Sequence, residues 1–230
     1  MIEEQIGGFR TLAVHPPESH GSTPATCIVT ILHGHTMRPE DLTAFAASMR
    51  MPSAFYFPQG PVPAIDGGYS WWPIDEERRR GQLAKGPRDL SAESPSRATL
   101  RARMKQFFRL LLDRHGPTPM VLAGFSQGGM LACDLVLHRD VSVAALGLLS
   151  ASRIALSEWT SRLGAFQGLP VLISHGRADQ DLAFSAGEAL RDMAQGAGAI
   201  TEWLPFDGGH EIPLVVWRQL KRLIIRISTG

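Results

Sequence analysis

One serine flanked by two glycines limits what this chain can fold into more than any other feature of the sequence. Residues 120–123 form an apolar run that predicts a buried strand, and residues 130–137 have the spacing of an amphipathic helix. Between them lies Gly124-x-Ser126-x-Gly128, the pattern of a sharp strand-to-helix turn that presents a serine hydroxyl above the edge of a sheet. The serine must then hold a strained backbone conformation. The residues two before and two after it pack too closely for a Cβ atom, so both must be glycine.

The pattern is short, and about 0.2 matches are expected by chance in a chain of this length. A glycine-rich turn without chemical meaning is therefore the alternative interpretation. The elements around the turn have to decide between the two.

Apolar runs and helical periodicities alternate along the rest of the chain. Strands are predicted at Phe9–Val14, as an edge strand, and at Cys27–Leu32, Ala54–Phe57, Val143–Leu149, Pro170–Ser174 and Ile200–Phe206. Helices are predicted at Pro39–Arg50, Ser96–His115, Leu182–Ala194 and Ile212–Ile227. This alternation predicts an α/β protein with a mainly parallel, doubly wound sheet and helices on both faces.

Two segments lack such a pattern. Residues 15–24 predict a polar loop, and residues 59–95 predict an irregular loop or lid-like segment over the site. The charged run Asp75–Arg80 within the second segment favours a solvated helix or loop over a binding patch. No repeat or linker divides the 230 residues, so we expect a single domain over 1–230.

Composition excludes several classes of function. The formal net charge is +1, which does not indicate nucleic acid as a partner. No apolar run approaches the roughly 18 residues of a membrane span. The N-terminal sequence MIEEQIGGFR lacks the apolar segment of a signal peptide, so we expect a cytoplasmic protein without stable membrane insertion. Cys27 and Cys133 lie inside apolar elements and are expected to be buried free thiols.

Polar side chains follow the carboxyl ends of several predicted strands, which is where parallel sheets bind ligands. Ser126 is the candidate nucleophile, His210 in a Gly-Gly-His turn the candidate base, and Asp179 the candidate residue that orients the histidine. They occur in the order serine, aspartate, histidine, each after its own strand, as an α/β sheet with this chemistry requires. Asp181 follows the same strand as Asp179, and its position before a helical run predicts an N-terminal helix cap or a partner of the helix dipole instead.

Acyl transfer also needs donors for a developing oxyanion. The backbone N–H groups of Gln127, directly after the serine, and of His35, in the loop after the strand at residues 27–32, are the candidates. His33 is expected to bond across the loop in a structural role.

The chain resembles the acyl-protein thioesterase and phospholipase/carboxylesterase branch of the α/β-hydrolases. The resemblance spans roughly residues 27–215 and rests on five collinear matches: Leu32-His33-Gly34, Phe57-Pro58, Gly124-Phe125-Ser126-Gln127-Gly128-Gly129, His175-Gly176-x-x-Asp179 and Gly209-His210-Glu211-Ile212. It implies an esterase or thioesterase that uses Ser126, His210 and Asp179 without a cofactor or metal, and it suggests a homodimer.

This chain departs from the family pattern at three places. The family commonly continues after its acid with a valine-rich stretch and a proline, where this chain has residues 180–184, QDLAF. His35 stands where the related thioesterases usually carry an apolar residue, and the segment 59–95 has its own charged run. These differences leave the acyl group and the leaving group open.

Apolar and aromatic residues near the serine predict where substrate binds. Met37, Trp71, Trp72 and Phe125 are the candidate substrate-binding residues, and in an extended segment Trp71 and Trp72 point to opposite sides. The arginines at 78–80 have no evident acidic partner in the sequence. The sequence therefore predicts a serine hydrolase that cleaves small or lipid-like carboxylic esters with uncharged, short to medium acyl chains.

Other functions remain open at this point. An acyl-protein thioesterase or a lysophospholipase would use the same residues. A metallohydrolase would use His33 and His35 as a ligand pair, although no further ligands lie nearby in the sequence. A non-catalytic binding protein would have the same fold but no need for an intact set of three residues.

Overall fold

The computed structural model describes residues 1–16, 25–65 and 67–229, and its main element is an eight-stranded sheet. The strands are β1 Ile2–Ile6, β2 Phe9–Val14, β3 Cys27–Leu32, β4 Ser53–Pro58, β5 Val62–Pro63, β6 Tyr69–Ser70, β7 Met120–Phe125, β8 Ala145–Leu149, β9 Pro170–Gly176 and β10 Ile200–Phe206. The main sheet has the order β1-β2-β4-β3-β7-β8-β9-β10, and β5 pairs with β6 in a separate hairpin. Pairing from β4 to β10 is parallel, and β1 and β2 join antiparallel at one edge.

Helices cover both faces of this sheet. They are α1 Glu40–Met49, α2 Glu76–Leu83, α3 Ala98–His115, α4 Gln127–Leu137, α5 Leu156–Thr160, α6 Phe184–Gly196 and α7 Leu214–Thr229, with a 3₁₀ turn at Leu163–Phe166. Helices α1 and α7 pack in one apolar cluster, whereas α3, α4 and α6 pack in the other. Because both faces are covered, every residue of β3, β4 and β7 is buried. The predicted α/β class, with a mainly parallel doubly wound sheet, is confirmed.

The prediction that residues 9–14 form an edge strand is wrong. Strand β2 has the predicted bounds, but β1 pairs antiparallel along its outer side. The sequence of β1, IEEQI, has two glutamates and only Ile6 is buried, so it carries little apolar signal. The loop predicted for 15–24 lies largely outside the described residues.

The segment 59–95 is more ordered than predicted. It contains the β5–β6 hairpin and α2, whose residues are all at least partly exposed, so the charged run forms a solvated helix. Asp75 caps this helix by accepting a hydrogen bond from the Arg78 backbone N–H at 2.9 Å.

Two further expectations can be compared with the described residues. Cys27 and Cys133 are buried and unpaired, and burial raises the pKa of the Cys27 thiol to about 11. Within 1–16, 25–65 and 67–229, none of the helices combines the length and the apolar character that crossing a bilayer requires.

Candidate active site

Ser126 occupies the sharp turn between β7 and α4 with a strained backbone. Its φ of 52° and ψ of −118° lie in a region that non-glycine residues rarely adopt. A Cβ atom on Gly124 would lie 2.3 Å from the Gly128 carbonyl carbon, and one on Gly128 would lie 2.3 Å from the Leu32 oxygen. Glycine is therefore required on both sides of the serine, as the motif predicts.

Three polar side chains meet above the carboxyl ends of the strands. Ser126 Oγ lies 2.8 Å from His210 Nε2, and His210 Nδ1 lies 2.7 Å from Asp179 Oδ2. Because a carboxylate only accepts, Nδ1 carries the imidazole proton, which leaves Nε2 free to accept from the serine hydroxyl. This arrangement can take a proton from the serine and hold the resulting imidazolium beside a carboxylate.

Backbone groups hold the aspartate and the histidine in place. The other oxygen of Asp179, Oδ1, accepts from the backbone N–H groups of Asp181 and Leu182, both at 2.8 Å. Gly176, at the end of β9, lies so close to the loop that carries His210 that a Cβ atom on it would be 2.2 Å from the Gly209 carbonyl oxygen. The Phe125 ring lies 4.9 Å from the imidazole of His210. The two loops are therefore closely packed around the Asp179–His210 contact.

The candidate oxyanion donors are in the turn that carries the serine and in the loop after β3, and His35 lines both cavities that Ser126 lines. The backbone N–H groups of His35 and Gln127 have no hydrogen-bond acceptor within the described part of the chain. The side chain of Gln127 accepts from the Trp71 backbone N–H at 2.8 Å and donates to the Trp72 oxygen at 3.2 Å. This second use of Gln127, as a clamp on the neighbouring segment, has no sequence signal.

His33 and His35 have their ring nitrogens occupied by protein groups. His33 Nε2 accepts from the Gly60 N–H at 2.8 Å, so its Nδ1 carries the proton and donates to the Gly34 oxygen at 2.7 Å. Burial lowers the pKa of His33 to about 4. His35 Nδ1 contacts Ser70 Oγ and its Nε2 contacts Glu76 Oε1, each at 2.5 Å.

These contacts bear on the alternative in which His33 and His35 are a metal-ligand pair. A histidine pair whose four nitrogens already bond to protein has none free for a metal ion, and the described residues contain no cluster of three or more potential ligands. The two rings tie the loop after β3 to the segment 59–95 instead.

Two cavities meet at Ser126. One, of about 350 Å³, has an apolar part formed by Trp72, Pro73, Ile74, Leu90, Met130, Ile154 and Leu182 and a charged part with Arg78, Arg88 and Glu93. The other, of about 430 Å³, contains His210, Phe125, Ile65 and Arg80. His35, Arg79, Ser126 and Asp181 line both.

Of the four candidate substrate-binding residues, Trp72 and Phe125 line these cavities, whereas Met37 and Trp71 do not. Trp71 is 1% exposed, stacks on His33 at 5.0 Å and donates its indole N–H to the His33 oxygen. Met37 packs inward, with its sulfur accepting from the Gly34 N–H at 3.3 Å. Trp71 and Met37 therefore support the loop after β3 instead of facing substrate.

Asp181 does not cap a helix, so the first of the two roles predicted for it from the sequence is wrong. Helix α6 begins at Phe184 without any side-chain cap, and the Asp181 carboxylate binds Arg79 and Arg88 instead. Burial alone would raise the pKa of Asp181, but hydrogen bonds from the two arginines outweigh it and hold the pKa below its usual value. The expectation that the arginines at 78–80 lack acidic partners is also wrong, since Arg78 pairs with Glu93.

A strained serine, an imidazole and a buried aspartate at the carboxyl ends of a mainly parallel sheet define the site of an α/β-hydrolase. The chain belongs to the phospholipase/carboxylesterase family, whose model matches residues 18–224.

Curated relatives agree with this family. A probable carboxylesterase SOBER1-like from Arabidopsis thaliana is 25% identical over 182 residues, which cover 74% of this chain and 65% of that protein. A probable carboxylesterase from Oryza sativa subsp. japonica is 34% identical over 98 residues, which cover 42% of this chain and 37% of that protein. The matches thus span less than two thirds of either relative.

Solved structures share the fold along the chain. The crystal structure of esterase PE8 has a TM-score of 0.77 at 23% identity and covers 94% of this chain and 97% of its own. The structure of Zea mays acyl-protein thioesterase 2 has a TM-score of 0.71 at 16% identity and covers 96% and 99%.

Proposed function

We propose that this chain is a serine carboxylesterase that works through an acyl-enzyme intermediate. The observation that carries the proposal is the continuous hydrogen-bonded chain from Ser126 Oγ through His210 to Asp179, at 2.8 and 2.7 Å. Family membership supports the same reaction class. A thioesterase would use the same residues and the same acyl-enzyme, and would differ only in releasing a thiol instead of an alcohol in the first half of the reaction.

In the first half of the reaction, His210 Nε2 takes the proton of Ser126 as Oγ attacks the ester carbonyl carbon. The carbonyl oxygen becomes an oxyanion that accepts from the N–H groups of His35 and Gln127. The C–O bond to the alcohol then breaks, and the same Nε2 proton is given to the leaving oxygen. Water repeats the sequence on the acyl-enzyme, which releases the acid and restores the serine.

From the position of His210 we infer which cavity would hold each half of an ester. The leaving oxygen must receive its proton from His210, so the alcohol occupies the cavity that contains His210 and Phe125. The acyl chain then occupies the cavity of about 350 Å³ beside Trp72 and Met130. Its apolar walls favour an uncharged chain, and each buried CH₂ contributes about 0.8 kcal/mol.

The experiment is a Ser126→Ala substitution combined with a fluorophosphonate probe. We expect wild-type protein to be labelled on the peptide that contains Ser126, and Ser126→Ala to lose label and about 10⁴-fold or more in kcat on a nitrophenyl ester. Ser48→Ala, at an exposed position of α1, is the matched control and should keep both. Near-wild-type turnover by Ser126→Ala would refute the proposal.

A further inference from the structure

A cluster of opposite charges joins the segment 59–95 to the turn that carries the candidate acid. Asp181 Oδ2 accepts from Arg79 Nη2 at 2.6 Å, and Asp181 Oδ1 accepts from Arg88 Nε at 3.1 Å and from Arg88 Nη2. We call Arg79, Asp181 and Arg88 the carboxylate clamp. Its three side chains are only 11–25% exposed, so solvent screens these contacts less than at an open surface.

The main chain reinforces the clamp at the same place. The backbone N–H of Arg88 donates to the backbone carbonyl oxygen of Asp181 at 2.9 Å, and the backbone N–H of Ala183 donates to the backbone carbonyl oxygen of Arg88 at 2.9 Å. Arg88 is therefore attached to both sides of Leu182 and pairs with it as an isolated parallel bridge. The turn 179–183 is thus held from outside by a residue about ninety positions earlier in the chain.

The groups held in this way are those that bind the candidate acid. Asp179 Oδ1 accepts from the N–H groups of Asp181 and Leu182, while its other oxygen faces His210. The Leu182 oxygen in turn contacts His175 Nε2 at 3.1 Å. Whatever fixes the peptide groups of 181 and 182 therefore also fixes the angle at which Asp179 meets the imidazole.

We propose that Asp181 is a positioning residue, which acts on the reaction through Asp179 by clamping the turn with Arg88 and Arg79. This inference rests on the proposed function, since it concerns the same site. A partly buried ion pair is weak evidence for a role in stability, because desolvation offsets much of its attraction. Orientation at a reacting centre is far more sensitive, and small displacements cost large factors in rate.

The first test compares single substitutions with nitrophenyl esters. Asp181→Asn keeps the size and the backbone N–H but loses the charge, and we expect kcat to fall about tenfold with KM changed less than about twofold. Arg88→Gln should likewise lower kcat with little change in KM. Asp192→Asn is the matched control, because Asp192 pairs with Arg191 on the exposed face of α6, and it should keep wild-type kcat.

The decisive test is a double-mutant cycle with Asp179→Asn, read as the rate of phosphonylation of Ser126 by the probe. If Asp181 acts through Asp179, Asp181→Asn should lower the phosphonylation rate about tenfold in the wild-type background. In the Asp179→Asn background it should change that rate by less than about twofold. A general loss of folding would slow both backgrounds.

The possible results separate the two proposals. An equal slowing in both backgrounds, or no slowing in either, would overturn the positioning role while leaving the hydrolase intact. Absence of label on Ser126 in wild-type protein would instead reject the proposed function.

Discussion

Gly128 lies against Leu32 so closely that a Cβ atom on the glycine would be 2.3 Å from the leucine carbonyl oxygen. The contact joins the start of α4 to the end of β3, the two places that supply the candidate oxyanion donors. Gly128→Ala cannot relieve this overlap by moving a flexible side chain, because the opposing atoms are backbone. We expect the substitution to lower the free energy of unfolding by about 3 kcal/mol or more and to reduce kcat in any folded fraction.

Urea unfolding and ester turnover measure these two effects. Gly196→Ala, at the end of α6, is the matched control, because a Cβ there meets nothing within 4 Å. A Gly128→Ala protein with wild-type stability and turnover would show that the two elements move apart freely.

The sequence predicts those parts of the fold in which a continuous apolar run marks a strand buried on both faces. Cys27–Leu32 has the predicted bounds for this reason. Ile200–Phe206 also has the predicted bounds, although it is the edge strand β10 and only Phe206 is buried. The serine turn is equally predictable, because its geometry demands glycine at fixed spacings. Strand β1 is not predictable in this way, since its glutamates face solvent and its stability comes from pairing with β2.

The role of Asp181 shows a second limit. A carboxylate before a helix normally predicts a cap, but its two arginine partners lie 93 and 102 positions away in the sequence. No local pattern encodes such a contact. The same holds for Trp71 and Trp72, where alternation predicts opposite directions without indicating which ring faces the cavity.

The pH dependence of stability should report on buried His33. Burial lowers the pKa of His33 from 6.5 to about 4, so the unfolded chain binds more protons than the folded one between these values. Its contribution is therefore complete above pH 6.5 and is lost as the pH falls towards 4. We expect His33 alone to remove about 2 kcal/mol from the free energy of unfolding between pH 7 and pH 5.

Urea unfolding at pH 7 and pH 5 measures this difference for wild-type protein and for His33→Gln. The variant should be less stable at pH 7, because glutamine cannot repeat both ring contacts. Its free energy of unfolding should nevertheless fall less between pH 7 and pH 5 than that of wild-type protein. His175, whose pKa is also lowered by burial, is present in both proteins and cancels. Parallel losses in the two proteins would contradict the assignment.

Removal of metal ions should leave activity unchanged. His33 and His35, the histidine pair considered as ligands, use their ring nitrogens to bond Gly34, Gly60, Ser70 and Glu76. We expect full ester turnover after dialysis against EDTA. Loss of turnover that zinc restores would bring back a metal-dependent mechanism.

The two adjacent tryptophans should separate specificity from stability. Trp72 lines the cavity assigned to the acyl chain, whereas Trp71 is buried against His33 and Phe9. For wild-type protein we expect kcat/KM to rise over the first few acyl carbons, by about fourfold for each fully buried CH₂. Trp72→Ala should flatten this rise more than it changes turnover of an acetyl ester, because a short chain does not reach the lost wall.

Trp71→Ala should instead lower the free energy of unfolding by about 3–5 kcal/mol and leave the slope of the chain-length series unchanged in the folded fraction. A series of nitrophenyl esters from acetyl upward, measured beside urea unfolding, tests both. If Trp72→Ala lowers kcat/KM equally at every length, the acyl chain does not lie against this ring.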